Sequence, residues 1–231
     1  MIRPKVSRLA PLGIAALLVS GCAASRSGLS GAFRDAPNPV QRPAEEEVTV
    51  AFIFTHVHQN VGWDAIPKLH HQDRYANGFY DFFGNALPIL SNIGSYATFT
   101  DRAEDVTDPR RRAERDSLAQ GNYDFTVTMR FIRETSFTRQ VFGTIASALT
   151  LTALPVPYKR HYSLTVEVTD RSGGLLKRYE RTATVTQWVQ ALLIFAYPFH
   201  PESRKTDELY LDFLRDVFRE MEADGVLTAG G

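Results

Sequence analysis

Two histidines, His56 and His58, offer the most distinctive chemistry in this chain. They lie two residues apart on an extended segment, so their rings point to the same side. Zinc and copper accept imidazole and carboxylate ligands, so a metal site or small-ligand site at His56 and His58 is one hypothesis. The spacing matches no closed metal motif, and histidines are also common in loops. Further candidate ligands follow in the chain: Asp64, His70, His71 and Asp73.

No catalytic motif accompanies these histidines. The sequence lacks a Gly-x-Ser-x-Gly elbow, a His-Glu-x-x-His pair, a phosphate-binding loop and a Gly-x-Gly-x-x-Gly motif before a helix. Helix capping and solvation explain one acidic cluster more simply than a carboxylate site does. That cluster consists of Asp101, Glu104, Asp105 and Asp108. We therefore expect a protein that is not an enzyme and that holds no cofactor.

The single cysteine, Cys22, belongs to a motif of another kind. Basic residues begin the chain, an apolar run follows over 9–19, and Leu18 and small residues precede the cysteine. This pattern predicts an export signal over 1–21 that is too short to cross a bilayer. Because there is only one cysteine, the mature protein can form no internal disulfide, and its fold must depend on a packed core.

The first 22 residues resemble the precursors of bacterial lipoproteins, whose modified cysteine follows such a motif. The resemblance implies cleavage before Cys22 and acylation of Cys22, which would anchor the protein in membrane lipid. Acyl chains hold strongly, at about 0.8 kcal/mol per buried methylene. Ala23 after the cysteine implies sorting to the outer membrane. We expect the domain to face the periplasm. The alternative is an ordinary cleaved signal that contains a cysteine by chance.

Composition divides the remaining chain into a tether and a domain. Residues 22–47 are rich in Ser, Gly, Ala and Pro, which predicts a flexible tether before a single domain over 48–231. The precursor has 26 basic and 26 acidic residues, and the predicted signal contains three of the basic ones. The mature chain is therefore slightly acidic, which argues against nucleic acid as a partner.

Hydrophobic periodicity predicts five strands and three helices in the domain. The strands are expected at 48–55, 96–100, 123–131, 162–168 and 175–186, and the helices at 75–94, 108–121 and 207–224. The order β-α-β-α-β-β-β-α indicates an α/β fold, namely a two-layer sandwich with a mixed five-stranded sheet. This order resembles the amino-terminal domain of TolB and the periplasmic part of CsgG.

Two connecting stretches, 137–157 and 187–199, are more apolar than ordinary loops. If the strands at 123–131 and 175–186 are parallel, both stretches begin at the same edge of the sheet, where His56 and His58 also lie. They either complete the core or remain exposed for a partner or a membrane. The predicted contact residues are Phe142, Leu149, Leu151, Leu154, Trp188, Leu192, Leu193, Ile194 and Tyr197.

These expectations combine into one functional hypothesis. The chain is expected to be an outer-membrane lipoprotein that acts as a docking subunit in envelope assembly, export or maintenance. The apolar edge over 137–157 and 187–199 would meet an envelope protein or a second copy of the chain. The alternative is a lipoprotein that binds a metal or small ligand through His56 and His58.

Overall fold

The computed structural model describes residues 21–33, 47–61, 67–72, 79–101, 108–136, 141, 145, 156–190 and 202–228. Seven strands lie in these ranges: β1 Gly21–Arg26, β2 Val48–Val61, β3 Pro67–Gln72, β4 Ile93–Asp101, β5 Phe125–Ser136, β6 Val156–Asp170 and β7 Leu175–Gln190. The helices are α1 Phe79–Ala86, followed by a short 3₁₀ turn over Leu87–Ile89, α2 Pro109–Asn122 and α3 Glu202–Asp224.

All seven strands belong to one mixed sheet, in the order β1-β7-β6-β5-β2-β3. Strand β4 lies beside the first part of β2, on the edge whose second part pairs with β3. Strand β2 is parallel to β4 and β5, because helical crossovers join these three strands. Strands β5, β6 and β7 follow one another antiparallel, and β1 adds antiparallel to β7.

The prediction of a two-layer sandwich with five strands is wrong. The sheet has seven strands, because β1 and β3 formed in stretches whose composition indicated a tether and a loop. Strand β3 starts with Pro67, and a proline is tolerated at the first residue of a strand. Helices α1 and α3 pack on one face of the sheet, whereas Arg112 of α2 pairs with Asp101 beside Thr55 on the other face.

Part of the expected tether belongs to the folded domain. Strand β1 occupies the edge of β7, and the chain continues along that edge until Ser30 bridges Thr182. The backbone N–H of Phe33 then donates to the Asp216 carboxylate of α3, at 3.0 Å from its nearer oxygen. Residues 34–46 lie outside the described ranges. The domain therefore includes residues that precede 48.

The hydrophobic core lies between one face of the sheet and helices α1 and α3. Alternate residues of β2 face it, and Val50, Phe52 and Phe54 are fully buried. Phe83 of α1 makes edge-to-face contacts with Phe52 and Phe54, at centroid distances of 4.9 and 5.2 Å. The aromatic spacing that predicted this helix therefore reflects real packing.

An acidic row on α3 pairs with basic side chains of β1 and β7 at the β1 edge of the sheet. The acidic residues recur every fourth position, which places them on one side of the helix. Arg26 of β1 and Arg181 of β7 each reach two of them, and Lys177 of β7 reaches the last. These ion pairs attach α3 to the edge of the sheet. The acidic row consists of Glu208, Asp212, Asp216, Glu220 and Asp224.

Helix α2 begins as its sequence predicts. The Asp108 carboxylate accepts a hydrogen bond from the backbone N–H of Arg110 at 3.0 Å, and Pro109 occupies the first turn. Asp101, at the end of β4, is buried and accepts a hydrogen bond from the Thr55 hydroxyl. These two members of the acidic cluster therefore have structural partners, while Glu104 and Asp105 lie outside the described residues.

Candidate functional site

One rim of the sheet collects most of the residues that the sequence singles out. Strands β2, β5 and β7 end there, and β1, β3 and β6 begin there. We call it the Cys22 rim, because the backbone of Cys22 pairs with Val189 close to the end of β7. The first apolar stretch starts directly after β5, and the second starts within the last four residues of β7, so both leave the sheet at this rim, as the predicted strand directions required.

Trp188 is the described aromatic residue of the predicted apolar edge. It lies on β7, pairs with Ala23 of β1 and Pro157 of β6, and is 37% exposed. Ile145, in the first apolar stretch, is 49% exposed. The other predicted contact residues lie outside the described ranges: Phe142, Leu149, Leu151, Leu154, Leu192, Leu193, Ile194 and Tyr197. Exposure of the apolar edge is therefore observed at three positions, namely Trp188, Ile145 and Pro157.

His56 is part of the hydrophobic core. Its side chain is 1% exposed, and its ring stacks on Phe131 with a centroid distance of 5.0 Å and an interplanar angle of 10°. Phe79 of α1 makes an edge contact with the same ring, also at 5.0 Å. Burial lowers the pKa of His56 to about 4, so this side chain is neutral at physiological pH.

His58 lies on the same face of β2, nearer the rim. Its Nε2 atom is 2.9 Å from the Thr135 hydroxyl, which in turn donates to the Asn60 side chain. Among the described residues, no group of three histidine, cysteine or acidic side chains is arranged to hold a metal ion. Asp64 and Asp73 lie outside those residues. The described geometry gives no support to the predicted metal site at His56 and His58.

Basic side chains surround His58. Across the sheet, His58 is in register with His70 of β3 and with Arg133 of β5, and Arg133 is in register with Tyr162 of β6. Arg160 lies two residues before Tyr162, on the same face. Burial lowers the pKa of His58, and the positive charges of Arg133, His70 and Arg160 lower it further. The rim therefore carries a basic row on the core-facing side of the sheet.

Arg133 and Arg160 are not among the residues predicted from the sequence, although the alternation of β5 contains a signal for Arg133. In β5 the inward positions alternate through Val127, Met129 and Phe131, and the next inward position is Arg133. A basic residue in register with buried apolar residues marks either a buried ion pair or a site that faces something beyond the core.

A second polar feature lies on the sheet face opposite the core. It is a pocket of about 330 Å³ beside the chain that links β1 to Ser30. His161 contributes its imidazole, whose Nδ1 atom is 2.9 Å from the Thr184 hydroxyl, and Glu134 lies across the strand pair from His161. Hydroxyls of Ser27, Ser30 and Thr182 complete the polar lining. The pocket is lined by hydroxyls, one imidazole and one carboxylate, and these groups suit a small polar ligand.

None of the helices in the described residues is both long enough and apolar enough to cross a membrane. The predicted signal over 1–20 lies outside these residues. Cleavage before Cys22 and acylation of Cys22 therefore stay predictions from the sequence.

Comparisons with known proteins add little to this geometry. No protein-family model matches the chain, and no curated protein matches it. Two of the solved structures that resemble it are PelC dodecamers from Paraburkholderia phytofirmans, the second of them a variant with one substitution. They are 11% and 10% identical to this chain, and in both cases the match covers 84% of this chain and 96% of the other. The TM-scores are 0.28 and 0.32, too low to support any conclusion about function.

Proposed function

We propose that this chain is a lipoprotein of the outer membrane that faces the periplasm and docks onto an envelope partner through the Cys22 rim. The observation that carries the proposal is the pairing of β1 with β7. This pairing brings the backbone of the predicted acylation site beside the exposed Trp188, since Ala23 is the register partner of Trp188. Anchor and apolar surface thus share one rim.

Trp188 suits a contact surface because its indole has a large apolar body and one polar N–H. The neighbouring Pro157 is exposed as well, and both apolar stretches begin at the same rim. A docking role needs such a surface and no catalytic group. The lack of known catalytic motifs in the sequence is compatible with this role. The partner is an envelope protein or a second copy of this chain.

Anchoring is tested in the native host with the full precursor. We expect Cys22→Ser to release the protein from the membrane fraction and to abolish labelling by palmitate. Ser25→Ala is the matched control, because Ser25 is an exposed residue of the same strand. A Cys22→Ser protein that still carries label and remains in the membrane would contradict the anchor.

Docking is tested with a photocrosslinking amino acid at position 188 or at position 175. Leu175 is the matched control, because it is 59% exposed and lies at the opposite end of the same strand. We expect a discrete protein adduct from position 188 and none from position 175. The absence of a protein adduct at 188, or the same adducts from both positions, would refute docking through this rim.

A further inference from the structure

Arg133 is a half-buried cation without a counter-ion among the described residues. Its Nε atom is buried and has no hydrogen-bond partner there. The charged groups around it have the same sign, because Arg133 lowers the pKa of both His58 and Arg160. Of the segments that leave this rim beyond the described strands, 137–155 and 191–201 contain no Asp or Glu, and 62–66 contains one carboxylate, Asp64. A partly desolvated cation in such surroundings is unfavourable unless an anion neutralises it.

Tyr162 provides a second, independent sign of a ligand. It is 2% exposed, and its hydroxyl is buried without a hydrogen-bond partner in the described structure. Its register partner is Arg133, and its hydroxyl is close enough to Arg160 to influence the pKa of that guanidinium. A buried hydroxyl that makes no hydrogen bond is unfavourable, so a ligand that accepts a hydrogen bond from it would recover that cost.

We propose that Arg133 and Arg160, with the Tyr162 hydroxyl and the His58 imidazole, form a binding site for a phosphate oxyanion at the Cys22 rim. Guanidinium groups offer paired N–H donors that match two oxygens of a phosphate, and the phenol adds a third donor. The acidic row of α3 is paired with Arg26, Arg181 and Lys177 at the β1 edge of the sheet.

This inference deepens the proposed function and rests on it in one respect, namely that the phosphate belongs to the headgroup of an anionic membrane lipid. An acyl anchor at Cys22 would hold the same rim near such headgroups. A free phosphate compound would satisfy the same donors, so the experiment must separate these two sources.

The test uses the mature chain, residues 22–231, made without acyl groups. Binding is measured to vesicles of phosphatidylcholine alone, to vesicles that also contain phosphatidylglycerol, and to inorganic phosphate by calorimetry. We expect binding to the anionic vesicles and competition by inorganic phosphate. Arg133→Gln should weaken vesicle binding at least about tenfold, because a hydrogen-bonded charge contact is lost. Arg130→Gln is the matched control, since Arg130 is exposed on the opposite face of the same strand.

A second measurement separates a binding role from a structural one. If Arg133 serves a ligand, Arg133→Gln should leave the unliganded protein as stable as the wild type, or more stable, because it removes repulsion from Arg160. Tyr162→Phe should weaken phosphate binding several-fold and preserve the fold. Loss of stability in Arg133→Gln without a change in phosphate affinity would overturn the proposal.

The remaining outcomes are also decisive. Arg133-dependent binding of inorganic phosphate without binding to anionic vesicles would support the oxyanion site and overturn its lipid source. Absence of binding to both probes by the wild type would overturn the site itself. Because the acyl-free chain is used, these results do not depend on Cys22, and failure of the predicted anchor would be recognised separately in the host.

Discussion

The buried imidazole of His56 should make this protein sensitive to mild acid. His56 stacks on Phe131, makes an edge contact with Phe79 and is almost fully buried, so a positive charge on its ring would be poorly solvated. Burial accordingly lowers its pKa to about 4 in the folded state, whereas the unfolded chain has the ordinary value of 6.5. Above pH 6.5 both states are neutral, and His56 contributes no pH dependence.

Below pH 6.5 His56 becomes protonated in the unfolded state and stays neutral in the folded state until the pH approaches about 4. The free energy of unfolding therefore decreases as the pH falls from 6.5 to about 4. The full difference corresponds to about 3 kcal/mol, and the part developed at about pH 5 is about 2 kcal/mol. For a domain of ordinary stability this is a substantial loss.

Urea unfolding of the mature chain at about pH 7.5 and about pH 5 measures this effect, with fluorescence as the signal. The relevant quantity is the change in unfolding free energy between the two pH values. We expect His56→Phe to reduce that change by about 2 kcal/mol. The intrinsic cost of the new side chain cancels, because it is present at both pH values. Leu118→Ala is the control, since Leu118 is exposed and has no titratable group, and it should keep the wild-type pH dependence.

An unchanged pH dependence in His56→Phe would refute the placement of a neutral His56 in the core.

A metal-binding role can be examined with the same variants. Zinc or copper that raised the stability of wild type but not of His56→Phe would show that His56 is available as a ligand, in conflict with its stacked geometry.

Two further predictions concern the β1 edge. Arg181→Ala should lower the free energy of unfolding by about 3–5 kcal/mol, because Asp216 and Glu220 lose their buried partner. Arg178→Ala changes an exposed residue of the same strand, and it should cost less than about 1 kcal/mol in the same urea titration. A small effect of Arg181→Ala would show that the buried ion pairs contribute little. Gly31→Ala should cost about 1–3 kcal/mol, since φ is +79° and a new Cβ would lie 2.8 Å from the Glu180 carbonyl oxygen. Gly28→Ala, which has open space around it, should be the milder change in parallel thermal melts.

The parts of the fold that hydrophobic alternation could predict are its central strands and helices. Strand β5 alternates apolar and polar residues from Phe125 onward, and β6 repeats the pattern, so their positions and antiparallel pairing agree with the structure. The closing helix was predicted from its apolar stripe over 207–224, and it starts five residues earlier, at Glu202. Local patterning was sufficient wherever one face of an element is buried.

The edge strands could not be predicted in this way. Residues Gly21–Arg26 are small and polar with low intrinsic strand propensity, and they extend because β7 offers an unpaired edge. That edge is a product of tertiary structure, so no local pattern encodes it. Overlooking β1 left one strand out of the predicted sheet and assigned its residues to the tether, and β3, in a stretch predicted as a loop, is the second strand left out.

The charged residues of the inward strand positions also show what local sequence patterns cannot predict. Arg181 and Arg133 both occupy inward positions of amphipathic strands, where the pattern calls for apolar residues. Sequence alone marks each as an exception and cannot say which has a counter-ion. The structure separates them: Arg181 lies between Asp216 and Glu220, and their hydrogen bonds raise its pKa against the effect of burial. Arg133 has only like charges nearby among the described residues.

Strand β1 also changes what an anchor at Cys22 would do. A flexible tether over 22–47 would let the domain stand away from the bilayer and turn freely, as a random coil does. With Cys22 itself paired to Val189, acyl chains on its thiol and amine would leave directly from the sheet. The exposed Trp188 and the basic row at Arg133 lie on opposite faces of the sheet, and the same strand would hold the rim that carries both near the headgroups. The orientation of the domain on the membrane would then follow from the backbone hydrogen bonds between β1 and β7. The ion pairs of Arg26 and Arg181 with α3 would help to fix this edge of the sheet.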